Sequence, residues 1–339
     1  MDAQRCVRRL VADGGAFLLA AGGGILVAQA GQMELMYSTV VDCQAGGAKV
    51  ATAGGAVAVD MAAQFTASHC EFRRNRVDGG SFLSAGGAIS VRPGGLATLE
   101  DCTLNENVAS GGGLAAQGGA VALMIGASLI VRNSELCDNV AAAGGQYVQG
   151  GALFLNQAAQ ATISDSVFCR NSANSTGAAH TKVVGGAVFL FTGATITVTG
   201  TTFRENAAVA GSVSDGGAVG VSDLGHAYFD RVTFLRNYVS GGTNRNSGGA
   251  LILWAPDFVR VSNSHFHENQ ALGQYPDGGA LHCRGNKVEI ENCTFGFNGV
   301  FSTQGLGVGG AVFLEKGILS ILACQLYSNR AVSGAAVRS

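Results

Sequence analysis

Apolar and polar residues alternate along this chain with a period of two, in short runs, and the runs themselves recur about every 32 residues. A Gly-Gly-Ala or Gly-Gly-Gly tripeptide followed by an aliphatic residue begins at Gly22, Gly54, Gly86, Gly118, Gly150, Gly185, Gly216, Gly248, Gly278 and Gly309. The spacings are 32, 32, 32, 32, 35, 31, 32, 30 and 31 residues. Directly after the tripeptide stand Ile25, Val57, Ile89, Val121, Leu153, Val188, Val219, Leu251, Leu281 and Val312. Two residues further on stand Val27, Val59, Val91, Leu123, Leu155, Leu190, Val221, Leu253, Cys283 and Leu314. Two aliphatic columns two residues apart form one face of a β-strand. The β-branched residues and paired glycines in the same stretch disfavour a helix.

A second signature follows each tripeptide at a nearly fixed distance. It reads Phe72/Asn75, Leu104/Asn107, Leu136/Asn139, Phe168/Asn171, Phe203/Asn206, Phe234/Asn237, Phe266/Asn269, Phe295/Asn298 and Leu326/Asn329. An earlier copy, Val40/Cys43, lacks the Asn. Apolar columns precede the aromatic position, as in Met33/Leu35, Ile196/Val198 and Val288/Ile290. Asp101, Asn133, Asp165, Asn263 and Asn292 fall between columns, and these residue types tolerate the left-handed backbone of a tight bend. One repeat therefore predicts about three short strands and their bends, which is one coil. A single coil cannot bury its apolar face, whereas stacked coils close a core. The predicted fold is an all-β, right-handed parallel β-helix, a single-stranded solenoid of about ten coils of about 32 residues. Its core would be roughly 50 Å long at ~4.8 Å per coil. The signature asparagines would stack as a ladder of side-chain amides along the axis.

Composition narrows the class further. Gly makes up 52 of 339 residues, Pro 3, charged residues 13% and hydrophobic residues 47%. Gly without a three-residue period excludes collagen, and the apolar content argues against disorder. A net charge of −2 gives no electrostatic reason to expect nucleic acid. No apolar run reaches the ~18 residues of a membrane span, and no secretion signal is visible. No motif asks for a cofactor. The whole chain, residues 1–339, reads as one solenoid and as a fragment of a longer protein. Residues 1–20 read as a degenerate first coil, and 333–339 as the start of a truncated one.

The alternation of Gly-Gly-Ala-[Ile/Val/Leu] with Phe-x-x-Asn resembles the repeats of the polymorphic outer membrane proteins of chlamydiae, and related repeats of bacterial and algal surface proteins. The resemblance covers essentially the whole chain. It implies an extracellular or cell-surface β-helix in an adhesin-like role, with a carbohydrate or protein surface as partner.

Enzymes of the pectate lyase and polygalacturonase kind share the fold, so a polysaccharide lyase or glycoside hydrolase is the rival expectation. Such chemistry needs carboxylates clustered on one face, with a basic residue beside them. The column four residues into the post-glycine strand reads Ala28, Asp60, Arg92, Met124, Asn156, Phe191, Ser222, Trp254, Arg284, Glu315, with no acids in adjacent coils. Asp60 with Arg92, and Asp223 with His226 and Asp230, read as solvated surface. His265 and His267 share an outward face beside Glu268 without an evident third metal ligand. No catalytic residue and no metal site is therefore assigned.

Cys70 with Cys102, and Cys293 with Cys324, occupy one inward column in adjacent coils, and there they read as small core residues. Cys137 and Cys169 share a column expected to face outward, and they form a possible disulfide. The binding expectation is an outward strip of apolar side chains on the middle coils: Phe154, Phe189, Phe191, Ile252 and Trp254.

Overall fold

The computed structural model describes residues 5–8, 11–13, 19–48, 50–143, 145–175, 177, 181–209 and 212–338, with backbone alone for 5–21 and for Asn286. Among them there is no helix. One coil contains five strands instead of three. In the coil that starts at Gly150 these are a corner strand Leu153–Leu155, a long strand Gln160–Ser164, an aromatic strand Val167–Cys169, a spacer strand Ser172–Ser175 and a return strand Lys182–Val184. Each pairs in parallel with its counterpart one coil on, in the registers Leu153↔Val188, Gln160↔Thr195, Val167↔Thr202, Ser172↔Ala207 and Lys182↔Val213. The same pairing reaches both ends, from Arg5–Arg8 on Ser38–Val41 to Val337 on Val312. The result is a right-handed parallel β-solenoid.

Bends with left-handed backbone separate the strands. Asp101, Asn133, Asp165, Asn263 and Asn292 have φ of 52°, 47°, 50°, 50° and 53° at the bend before the aromatic strand. A second left-handed bend follows that strand, at Asp42, Arg74, Glu106, Asp138, Arg170, Glu205, Arg236 and Glu268. Composition hides this one, because long charged side chains occupy it. They pair between coils, Arg74 with Asp42 at 2.8 Å and Arg170 with Asp138 at 2.7 Å.

The corner, long and aromatic strands enclose the main core. The aromatic column stacks Phe168, Phe203, Phe234, Phe266 and Phe295 face to face, with centroids 5.0, 5.3, 4.7 and 4.5 Å apart. Beside it runs the asparagine ladder. The Asn107 Oδ1 accepts both the backbone N–H and the side-chain Nδ2 of Asn75, each at 3.0 Å. The Asn75 Nδ2 also donates to the Val40 carbonyl of the preceding coil at 3.0 Å. The pattern repeats through Asn139, Asn171, Asn206, Asn237, Asn269 and Asn298 to Asn329. All but the last are fully buried, and each amide bonds a carbonyl of the aromatic strand in the preceding coil and the backbone N–H that stands at its own place one coil back, where water cannot reach.

The spacer and return strands were not legible as strands, and they build a second, narrower core. Two residues after each ladder asparagine, Ala141, Ala173, Ala208, Val239, Ala271 and Val300 point at Val148 and Val183 of the return strands. The paired glycines pinch the two cores apart. The first glycine of each pair is left-handed, with φ of 66° at Gly150 and 69° at Gly185. The second leaves no room for a Cβ, which at Gly186 would strike the Gly217 carbonyl and the backbone of Ala207 at the start of a spacer strand. Chain length is regulated around this pinch. From Gly54 to Asn75, and in each coil through Gly248 to Asn269, the arc holds 21 residues. From the asparagine to the next Gly-Gly the count varies, from 14 (Asn171 to Gly185) to 9 (Asn269 to Gly278).

Candidate functional site

Because the return strand doubles back across the outside of the corner strand, a crook runs along the solenoid axis. Three side-chain columns face it. The first and third residues of each return strand do so, since the middle residue is committed to the narrow core. The central residue of each corner strand points outward into the crook, and the residue just after that strand forms the far rim. Three connected hollows of about 390, 510 and 380 Å³ make up the groove. They span the coils from Met61 to Arg284, roughly 34 Å at ~4.8 Å per coil.

The groove changes character along its length. At Met61, Leu83, Met124 and Ile125 it is apolar. In the middle Leu114, Tyr147, Gln117, Gln149 and Asn156 mix apolar and amide surface. Beyond these, Phe191, Trp254, Lys182, Asp223, Arg245 and Arg284 form an aromatic and charged end.

All five residues expected to form an exposed strip cluster here, but not as an exposed strip. Phe154, Phe189 and Ile252 are 1%, 2% and 0% exposed and pack with Val184 of a return strand. They point away from the main core, as the alternation requires, yet the return strands roof them over. They are the floor of the crook. Phe191 and Trp254 pack against this cluster and remain partly open on the groove wall. The Lys182 ammonium sits 3.2 Å from the Trp254 ring centroid and the Arg245 guanidinium 5.6 Å from it.

Carboxylates from separate strands do gather at this end. Asp215 and Asp277 come from return strands, Glu315 from the far rim and Asp223 from the turn just beyond it. The post-glycine column alone could not reveal them, because they alternate between two strand types. The residue just before each Gly-Gly supplies the missing signal: Ala53, Ala85, Gln117, Gln149, Val184, Asp215, Ser247 and Asp277. Glu315 meets His282 at 3.0 Å, Arg284 at 3.5 Å and Arg245 at 3.6 Å. Asp215 lies 3.8 Å from Arg245 and is fully buried. Burial pushes the Asp215 carboxyl up to about 7, against the pull of Arg245 and Lys182. Burial likewise raises Asp277 to about 6 and lowers Lys182 to about 8. His282 falls to about 4 through burial first and the nearby Arg245 second. Ser247 stands beside the buried Asp215 carboxyl, and among the described residues His282 Nδ1 and Trp254 Nε1 are buried without a hydrogen-bond partner.

The other sequence candidates are dispersed. Asp60 pairs with Arg92 at 3.2 Å, and His226 with Asp257 at 3.4 Å. Asp230 accepts from Asn263 and Ser262 at 2.7 and 2.8 Å. His267 contacts Glu268 at 3.1 Å, and Glu268 is also held by Arg236 at 2.6 Å. Cys137 and Cys169 form a disulfide with Cα atoms 4.5 Å apart. Their column does not face solvent: both residues are fully buried. The inward cysteines Cys70, Cys102 and Cys293 are buried thiols, and Cys324 is a partly exposed one.

A parallel β-solenoid with an axial groove is the class of molecule these features define. Residues 23–234 match the family model described as right handed beta helix region, and the chain belongs to that family. No curated protein and no solved structure matches it.

Proposed function

We propose that the chain is a non-catalytic, surface-exposed or secreted β-helix that binds a linear carbohydrate along the crook, in an adhesin-like role. The observation that carries this reading is the groove itself, which follows the axis through successive coils and presents a different set of side chains at each. An extended ligand would meet such a surface as a row of distinct subsites. Phe191 and Trp254 supply flat apolar faces for sugar rings, and Asn156, Gln117, Gln149 and Asp223 supply hydrogen-bonding groups beside them. The resemblance of the repeat to chlamydial polymorphic outer membrane proteins supports the surface location. No helix among the described residues is long and apolar enough to cross a membrane.

Trp254 is the sole tryptophan, so its fluorescence reports on the groove directly. The expected result is an oligosaccharide from a glycan array that quenches or shifts this emission saturably, with binding lost in a Phe191→Ser/Trp254→Ser double variant measured by calorimetry. Unchanged binding in that variant would refute the groove as the site.

The gathered carboxylates favour a second reading, a pectate-lyase-like lyase or a glycoside hydrolase, with Asp215 and Asp277 at the charged end. Release of reducing or unsaturated ends from a bound polysaccharide, abolished by Asp277→Asn, would replace the non-catalytic reading. Binding without release rejects this alternative.

A further inference from the structure

Resting on the carbohydrate reading above, we propose that the charged end of the crook selects sugars that bear an anionic group, a carboxylate or a sulfate. Lys182 caps the Trp254 ring, and only a ligand that takes the ammonium in exchange uncovers it readily.

Strand register assembles the cap. Lys182 opens one return strand and Arg245 opens the return strand two coils on, with Val213 between them in the same column. Trp254 and Arg284 are neighbours in the far-rim column, paired on adjacent coils. The two columns meet across the hollow of about 380 Å³ at this end, which Lys182, Arg245, Arg284 and Asp223 line together with Trp254. Three cations and one carboxylate therefore look onto one aromatic ring. Asp215, Asp277 and Glu315 stand nearby but do not line this hollow.

The cations are unequally partnered. Arg245 and Arg284 share Glu315, at 3.6 and 3.5 Å, with His282 on the same carboxylate at 3.0 Å. Arg245 also lies 3.8 Å from the buried Asp215. Lys182 makes no ion pair among the described residues, and its ammonium lies 3.2 Å from the Trp254 ring centroid. The ring stands in for a counter-ion, and it is a weaker partner than an anion. Burial lowers the Lys182 ammonium to about 8, so its charge is held there at a cost that an anion beside it would offset.

This arrangement treats ligands differently. A neutral sugar that stacks on the capped face of Trp254 must displace the ammonium and offers it no new partner. A sugar with a carboxylate or sulfate forms a charge-assisted bond that draws Lys182 off the ring, and the uncovered face then receives the same sugar. Arg245 and Arg284 flank that position. No cation lies over Phe191 among the described residues, so neutral parts of the same chain keep a platform in the adjoining hollow.

The test measures calorimetric affinities of the full chain for three oligosaccharides of equal length: a neutral glucan, a glucuronate and a sulfated glucan. One or both acidic oligomers should bind about tenfold or more tightly than the neutral one, and which of them does so identifies the acid. Lys182→Met keeps the apolar stem and removes the charge. Tyr147 and Val213 in the same column show that the coil accepts an apolar residue there. In this variant the acidic oligomer should lose about tenfold in affinity, while the neutral one gains roughly two- to fivefold because its platform is uncovered. Neutral binding that stays the same in Lys182→Met would overturn the cap, since a merely attracting cation predicts that result. Equal affinities for neutral and acidic oligomers in the natural chain would overturn the proposal and leave the carbohydrate reading standing. Failure of all three to bind would overturn both.

Discussion

Replacing Asn206 by alanine tests whether the ladder holds the coils together or merely fills space. The Asn206 Oδ1 accepts the backbone N–H of Asn171 at 3.0 Å and its Nδ2 at 2.9 Å. The Asn206 Nδ2 donates to the Phe168 carbonyl at 3.0 Å and to Asn237 Oδ1 at 2.9 Å. Asn237 Oδ1 keeps a donor in the variant, because the backbone N–H of residue 206 still reaches it. Two groups do not: the Asn171 N–H and one N–H of its amide, while the Phe168 carbonyl falls back on the parallel strand pairing with Phe203 and Arg204. Both lie in a residue with no solvent exposure. A buried polar group stripped of its partner costs about 1–3 kcal/mol, so the two together should cost roughly 2–6 kcal/mol. Asn206→Asp serves as the control of similar shape. It retains the acceptor and loses both donors, and it must bury either a charge or a protonated acid, so it should cost at least as much as alanine. Urea unfolding gives the free energy, and hydrogen exchange locates it, with protection lost first in the coils around Gly185 and Gly216. A solenoid need not unfold in one step, so the exchange map carries the decisive information. A cost below about 1 kcal/mol for alanine would mean that the ladder amides are no better off than amides in water, and the reasoning would fail.

Further predictions follow from the pinch, the buried acid and the disulfide. Gly186→Ala should prevent folding or cost more than about 3 kcal/mol, because its methyl must displace backbone on two sides; Gly126→Ala, with no atom within 4 Å of the new Cβ, should cost only the strain of its left-handed φ. Solubility and thermal melting of the two separate these outcomes. The raised Asp215 pKa means that the folded state holds its proton longer than the unfolded state between about 4 and 7, so this group takes stability away as pH rises through that window. His282, lowered to about 4, acts in the opposite direction below its ordinary value of 6.5. The clean observable is therefore the stability of Asp215→Asn minus that of the natural chain, which should grow from pH 4 to pH 7 and then level off; a flat difference contradicts the burial argument. Reducing Cys137–Cys169 opens a 32-residue loop and should lower stability by about 2–4 kcal/mol in chemical denaturation, without altering Trp254 fluorescence.

What was legible from residue order alone was whatever repeats with a side-chain signature. The aliphatic pairs after Gly-Gly, the aromatic column and the ladder asparagines each occupy one environment in each coil, so chemistry and period agree. The return strands escaped notice because their outward positions range from Ala53 and Gln117 to Asp215, and their inward positions accept Thr52, Ala116, Val148 and Asn246. A narrow core accepts such small residues without a strong hydrophobic signal. Missing these strands is also why Phe154, Phe189 and Ile252 were expected in the open, since alternation tells which way a side chain points but not what lies above it. The left-handed bends at Arg74 and Arg170 show the same limit, because tertiary pairing there overrides the usual preference for glycine or asparagine.

The arc from glycine to asparagine, 21 residues in seven coils and 20 in the last two, beside a more variable stretch from asparagine to the next glycine, divides the molecule by heredity as well as by shape. A change of length in the arc has to be absorbed within its strands, as the one-residue shortening from Gly278 to Asn298 is, for the ladder rungs to stay in step. An insertion in the variable stretch lengthens a surface connection, at an entropic cost that grows only with the logarithm of its length. That stretch leads into the wall of the crook. Copies of the repeat are therefore free to drift in size along the crook while remaining interchangeable where they face one another. A lineage of such chains can reshape its groove, coil by coil, without renegotiating how it folds.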